Sequence, residues 1–446
     1  MANTPFSYSQ DELKQLVSDV LSYARQKGAT AADAEVSEGA GHTVSVRLGE
    51  TETIEYHRDK GFGVTVYHGQ AKGHASTGDF SKAALQATVD AALDIARYTA
   101  SDPFAGLADP DMLATRFPDL DLFHPSNLSV EESIRLATLC EDAARAVDPR
   151  ITNSDGASLS TQSGQFVYGN TLGFLAGFPT SRHSLSCAVI GEEGDAMQRD
   201  YWYDSSRRFD DLASPESIGR RCGERTVRRL NGRKIDTCQV PVVFEAPIAS
   251  SLIGHFLQAV SGTSLYRQAS FLLDSLGQSV FSPIVNLHEA PLIVQGQAST
   301  PFDDEGVATQ DRMVVENGVV QGYFLGSYSA RKLGMKSTGN AGGSHNLILG
   351  STGEDLAALL KKMGTGLLVT ELMGHGTNTV TGDYSRGAAG FWVENGVIAY
   401  PVEEITIAGN LKDMFKGIVA IGNDHLPHAS RQTGSILIEN MTVAGN

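Results

Sequence analysis

GLLVTELMGHGTNTVTGDYSRGAAGFWVENGVIAYPVEEITIAGNL, residues 366–411, is the stretch around which the remainder of the chain is organised. Residues 367–372 form an apolar run of strand length that empties into a loop rich in glycine and polar groups: Gly374, His375, Gly376, Thr377, Asn378, Thr381, Gly382, Asp383, Ser385, Arg386 and Gly387. A strand over 391–393 follows. Asn395-Gly396 then supplies the pair of residues that tolerates positive φ in a tight hairpin. After the return strand, Ala408-Gly409-Asn410 leads into a short helix. A flexible polar loop held between well-formed strands is where ligand contacts concentrate.

Working outward, the same texture extends over residues 237–446. Strands are expected at 240–244, 291–294, 313–325, 366–372, 391–407 and 435–443, with helices at 246–260 and 356–363. Glu316-Asn317-Gly318-Val319 repeats the Asn-Gly hairpin design of Glu394-Asn395-Gly396-Val397. These features predict a strand-rich, largely antiparallel C-terminal domain. Residues 1–236 read differently. Ser9 and Glu12 have the spacing of a capping box, and Leu13, Leu16, Val17, Val20 and Leu21 follow as one helical stripe that Gly28 stops. Alternating segments come next, at Val44/Val46/Leu48 and Phe62/Val64/Val66, and then a helix over 81–98. A second capping box at Ser129 and Glu132 opens a helix to about 147. Strands around 166–168 and 185–190 and a helix over 217–230 complete the pattern, with the proline-bearing segment 102–126 as the link. The fold class is therefore α+β: two helix–antiparallel sheet–helix units in 1–236, followed by the β-rich domain 237–446.

Composition narrows the setting. The 446 residues are 41% hydrophobic with a mean hydropathy of -0.15, ordinary for a soluble globular chain. The first residues, MANTPFSYSQDELKQL, lack the basic and apolar regions of a signal peptide. No apolar run approaches the ~20 residues that cross a bilayer. A net charge of -17 opposes non-specific attraction to nucleic acid and anionic membranes. Cys140, Cys187, Cys222 and Cys238 are widely spaced and form no CxxC pair, so neither a disulfide framework nor a structural zinc pattern is expected. A cytoplasmic protein with no nucleic-acid or membrane partner fits these observations.

Residues 374–396 (GHGTNTVTGDYSRGAAGFWVENG), followed by 400–414 (YPVEEITIAGNLKDM), closely resemble the TldD/PmbA family of metallopeptidases in its PmbA (TldE) branch. The resemblance takes in 299–306 (STPFDDEG) and 337–346 (STGNAGGSHN), in the same order along nearly the whole chain. It implies a subunit of a cytoplasmic metalloprotease acting on unfolded or small peptides, paired with a TldD-type chain that carries the zinc. In TldD-type members a His-Glu-x-x-x-His motif on a helix is associated with zinc, and a later cysteine completes the site. Aligning Gly254-His255 with the end of that motif places Ser250 and Ser251 at its first His and its Glu. Only His255 remains, as a weak remnant, and no cysteine follows Cys238. Serine is a poor zinc ligand and a poor base at neutral pH. The resemblance thus implies no cofactor in this chain and zinc in a TldD-type partner, with this chain shaping the cleft in a homo- or heterodimer. Exposed strand edges would suit an extended peptide added as a strand. Two alternatives stand beside it: a peptidase with a divergent metal site of its own, and a non-enzymatic peptide-binding regulator.

No residue is assigned as catalytic. The substrate-binding candidates are Gly374, His375, Gly376, Asn378 and Asp383 in the loop, with Asp304 and Glu305 in the acidic turn 303–306. That turn suits a cation or a peptide amino terminus, or else a solvated turn with Gly306 at positive φ. Glu371, His375, His345, Asp383 and His255 would be the members of a divergent site; their plainer role is hydrogen bonding within tight loops. His288-Glu289 lacks a partner at the zinc-helix spacing, and Pro291 interrupts any helix there. Arg220, Arg221, Arg225, Arg228, Arg229, Arg233 and Lys234 read as the exposed face of a helix rather than a nucleic-acid patch, since no aromatic interleaving accompanies them. No Gly-x-Ser-x-Gly elbow, P-loop or dinucleotide fingerprint occurs, and 339–344 lacks the lysine of a phosphate cradle.

Overall fold

Alternation along one long strand organises the N-terminal half. The computed structural model describes residues 5–445. Its first half runs α1 (Gln10–Gln26), β1 (Ala31–Arg47), β2 (Glu50–His68), β3 (Ala71–Thr77), α2 (Lys82–Tyr98), α3 (Val130–Arg145), β4 (Ile151–Asn170), β5 (Leu175–Ala176), β6 (Pro179–Glu193), β7 (Ala196–Ser206) and α4 (Pro215–Val227). The Ser9/Glu12 capping box opens α1 as expected. At Ser129 only half of the second box forms: the hydroxyl accepts from Glu132 N, while the Glu132 carboxylate turns to Arg135.

The two helix–sheet–helix units are fused. β1 pairs antiparallel with β4 from Asp33↔Asn170 to Val46↔Ala157, so both units share one sheet of order β3-β2-β1-β4-β6-β7. Successive side chains on a strand face opposite ways. On β1, Ala32, Ala34 and Val36 pack beneath α1 and α2, while Val44 and Val46 pack beneath α3 and α4. All four helices therefore lie on one face. The opposite face carries Asp33, Glu35, Phe166 and Tyr168, and it turns toward the C-terminal half.

That half comprises β8 (Cys238–Phe244), α5 (Ala246–Ala259), α6 (Gly262–Tyr266), β9 (Leu287–Glu289), β10 (Arg312–Glu316), β11 (Val319–Val320), α7 (Ser327–Lys332), β12 (Leu347–Leu349), α8 (Leu356–Met363), β13 (Gly366–Met373), β14 (Asp383–Glu394), β15 (Val397–Asn410), α9 (Leu411–Lys416), β16 (Ile418–Ile421), β17 (Arg431–Gln432) and β18 (Ile436–Ala444). Both Asn-Gly turns form with positive φ at each central residue: 49° and 78° at Asn317-Gly318, 51° and 77° at Asn395-Gly396. One expected strand does not form. Residues 291–294 are a turn region, because Pro291 lacks the N–H a ladder needs, and the strand lies just before it as β9.

Two sheets result. The smaller has the order β11-β10-β9-β12-β17. The larger runs β15-β14-β13-β8-β18-β16, and β15 also pairs with β18 through Thr406↔Ala444, Ile407↔Val443 and Ala408↔Thr442. That pairing closes a ring and removes much of the open edge that peptide addition to this sheet would have required.

In the arginine run Arg220, Arg221, Arg228, Arg233 and Lys234 are exposed as expected, and two members turn inward. Arg225 and Arg229 are each 7% exposed. Arg225 bonds Glu245 at 2.9 Å and Asp200 at 3.3 Å, while Arg229 pairs with Asp200 at 3.6 Å and with Glu371. Arg228 lies 4.4 Å from the centre of the Phe391 ring. Arg225 and Arg229 thus join β7 of the first sheet to β13 and the residue that caps α5, while the rest of the run stays at the surface. Buried charges persist only when paired in this way.

Candidate functional site

Helix α5 begins straight after β8, with Pro247 in its first turn, where the missing N–H costs nothing. Its three motif positions face different fates. Ser251 Oγ donates back to Ile248 O at 2.6 Å, and Ser250 Oγ to Pro247 O at 3.4 Å. His255 stands edge-on to Tyr384, ring centroids 5.8 Å apart, and its Nε2 is buried without a hydrogen-bond partner. Burial, and then the charge of Arg386, push the His255 pKa down. Arg431 reaches over the same helix, its Nη1 only 2.9 Å from where a Cβ on Gly254 would stand. This donor set does not fit a zinc ion: two hydroxyls are occupied, one imidazole remains, and the neighbouring charge is positive. Among the described residues no group of three His, Cys, Asp or Glu converges on a metal-sized position.

The glycine-rich loop lies against this helix through β14. Gly374 has φ +74°, and Gly376 approaches the β14 backbone so closely that a Cβ would stand 1.7 Å from Ser385 O. Asn378 Oδ1 accepts from Val380 N at 2.9 Å, and Asn378 N donates to Asp383 O at 2.8 Å. Asp383 accepts from Thr381 Oγ1 at 2.6 Å and from Asn410 Nδ2 at 3.1 Å, and these bonds lower its pKa. Asn378 and Asp383 thus build the loop, whereas His375 is exposed on its surface.

Asp304 and Glu305 occupy a different place, a cleft between the first sheet and the C-terminal loops. Phe302 anchors its floor against Phe174 and Phe178, with ring centroids at 5.1 and 5.8 Å. Asp303, 3% exposed, accepts backbone N–H bonds from Glu305, Val307 and Ala341, each at 2.9 Å. The turn is therefore built on a buried carboxylate, which departs from the solvated-turn alternative, although Gly306 does take the positive φ of that alternative, +79°. Glu305 Oε2 accepts from Ser327 N at 2.8 Å, at the start of α7. Asp304 lines the cleft with Glu35, Tyr168, Ser344 and His345. Burial pushes Asp33 and Asp303 up to about 7, with Glu305 adding repulsion, and raises Glu35 and Asp304 as well.

Glu289 holds the cleft's histidine. It is 1% exposed and accepts from His345 Nδ1 at 2.9 Å, His345 N at 3.0 Å, Asn340 Nδ2 at 2.8 Å and Arg312 Nε at 2.8 Å. Burial works to raise its pKa, but His345 and Arg312 outweigh it and the net shift is downward. A carboxylate only accepts, so Nδ1 of His345 carries the proton. His288 turns away and meets Asp311 at 2.7 Å.

The residues of the postulated divergent site are therefore separated: Glu371 pairs with Arg229, His345 with Glu289, and Asp383 with its own loop. Sequence reading missed Asp33 and Glu35, and weighed Glu289 only as half of a zinc pair with His288. The alternation of β1 could have placed the first two on one face. Glu289 gave no such signal, since its partners lie 23 to 56 residues away.

Residues 32–96, 123–230 and 237–445 match domain 1, the central domain and the C-terminal domain of the PmbA/TldA metallopeptidases. A Haemophilus influenzae protein named metalloprotease PmbA homolog is 50% identical over 438 residues, covering 98% of this chain and 97% of its own. The same organism's metalloprotease TldD homolog is 25% identical over 385 residues, covering 80% and 77%. A crystal structure of a Bacteroides thetaiotaomicron protein superposes with a TM-score of 0.93 at 29% identity, covering 98% of this chain and 99% of that one.

Proposed function

Because the chain belongs to the PmbA branch of the TldD/PmbA metallopeptidase family, we propose that it is the metal-free subunit of a cytoplasmic peptidase assembly, shaping the cleft and binding substrate for a TldD-type partner that carries zinc. The observation that carries this reading is α5, where Ser250 and Ser251 bond their own helix and Arg386 stands beside the one remaining histidine. Amide hydrolysis needs an activated water or nucleophile to reach a useful rate, and serine hydroxyls cannot lower the pKa of a metal-bound water. A PmbA homolog and a TldD homolog in one organism support the pairing. Four free cysteines suit a reducing compartment.

On this reading the isolated chain contains well under one zinc per chain after dialysis and cleaves no unfolded peptide. Mixing it with a TldD-type chain restores chelator-sensitive cleavage beyond what that partner achieves alone. Elemental analysis and a peptide-release assay check both points. One tightly held zinc per isolated chain, with cleavage, would instead establish a divergent site.

A further inference from the structure

Where α5 meets β14, buried polar atoms gather. His255 Nε2, Thr377 Oγ1, Tyr384 Oη and Arg386 Nε each lack a well-formed hydrogen bond, and the Arg386 guanidinium lies beside the Tyr384 hydroxyl. They share one spot. Thr377 and Tyr384 face each other across an antiparallel bridge, Tyr384 and Arg386 are two apart on β14 and so point the same way, and His255 packs on Tyr384. Tyr384 is 1% exposed, so water does not satisfy its hydroxyl. Arg431 adds a second guanidinium over Gly254. Neither Arg386 nor Arg431 forms an ion pair among the described residues. Folded proteins seldom leave buried donors idle, and a cluster of them in one place, beside two unneutralised cations, marks a place for an acceptor.

We propose that His255, Tyr384, Arg386 and Arg431 form an oxyanion pocket that takes a carboxylate of the peptide substrate. Guanidinium groups match a carboxylate's two oxygens, and the tyrosine hydroxyl and neutral imidazole can each donate to the same anion. The pocket occupies the motif end of α5, where a metal-bearing relative would need negative donors; here the charge is inverted. The inference rests on the peptide-handling role above and adds the chemistry by which substrate is oriented. The carboxylate comes from a chain terminus or from an acidic side chain, and the experiment separates the two.

Titration calorimetry on the full-length isolated chain at low ionic strength would use three acetylated pentapeptides of one Ala/Ser sequence. One ends in a free carboxylate, one in an amide, and one in an amide with a central glutamate. A carboxylate peptide should bind at least about tenfold more tightly than the plain amide, the equivalent of one charge-assisted hydrogen bond. Preference for the free terminus or for the glutamate identifies the source. Arg386→Met and, separately, Arg431→Met should each erase the preference, while Arg208→Met, at an exposed arginine elsewhere, should keep it. Arg431 is exposed, so its variant tests the pocket even where Arg386→Met disturbs folding. Tyr384→Phe should weaken carboxylate binding without lowering the melting temperature. Equal binding of all three peptides within about twofold, or a preference that survives both arginine variants, overturns the proposal. Since neither partner nor metal is present, failure here leaves the mixing experiment intact.

Discussion

Replacing Glu289 with glutamine tests how the cleft is held together. The carboxylate is 1% exposed and accepts four hydrogen bonds, from Arg312, Asn340 and two nitrogens of His345. Glu289→Gln keeps the volume but removes the charge and turns one acceptor oxygen into a donor. Arg312 retains Tyr323 O and Asn340 Oδ1 at 2.9 and 3.0 Å, so its cation is left half-compensated. Breaking a buried pair from one side costs about 3–5 kcal/mol, because the partner charge stays buried. For a unit of this size each kcal/mol lowers the melting temperature by roughly 2–4 °C, giving a fall on the order of 10 °C. Differential scanning calorimetry reads this directly. Arg312→Met should cost a similar amount, and the double variant should cost far less than the sum. A fall under about 2 °C for Glu289→Gln, or strict additivity in the cycle, would refute the view that this carboxylate organises the cleft.

Two further outcomes follow from the same geometry. Asp33 has its carboxyl pushed up to about 7 by burial, above the 3.8 of an unperturbed carboxyl, so the folded chain binds the extra proton between these values. Its contribution to stability is then greatest at low pH and is lost as pH rises from about 4 to about 7. Asp33→Asn should flatten the wild type's decline in melting temperature over that window; a variant curve parallel to the wild type would exclude the assignment. Gly376→Val would drive a side chain into the Ser385 carbonyl 1.7 Å away, displacing the 374–383 loop while the ring of β8, β13, β14, β15 and β18 holds. Activity of the mixed assembly should fall by more than about tenfold with the melting temperature changed by only a few degrees. Unchanged activity would remove the loop from the substrate path.

Much of the fold was legible because its signals are local. Helix α8 lies at 356–363, where the apolar pattern placed it, and both Asn-Gly turns carry the positive φ their chemistry demands. What could not be read is how separate runs join. Nothing in the residues around Val44 or Leu159 announces that they lie opposite each other and fuse two units into one sheet. Nor does the sequence show that the last strand closes a ring on β15 through three residues near the C-terminus.

The site illustrates the same limit through charge. Most of the arginines of 220–233 do face solvent, but helical spacing says which side chains align and not what they meet, so it could not show that Arg225 and Arg229 turn inward. Their carboxylate partners, Asp200, Glu245 and Glu371, come from three separate elements. Arg386 and Arg431 present the reverse case. Each looks unremarkable in its own stretch, one in a loop-to-strand motif and the other in a two-residue strand. Only folding sets both beside α5, where two serines already remove the means of holding a cation. Two guanidiniums without ion-pair partners among the described residues lie beside that helix and attract negative charge, so this end of α5 suits the anion proposed for it better than a cation.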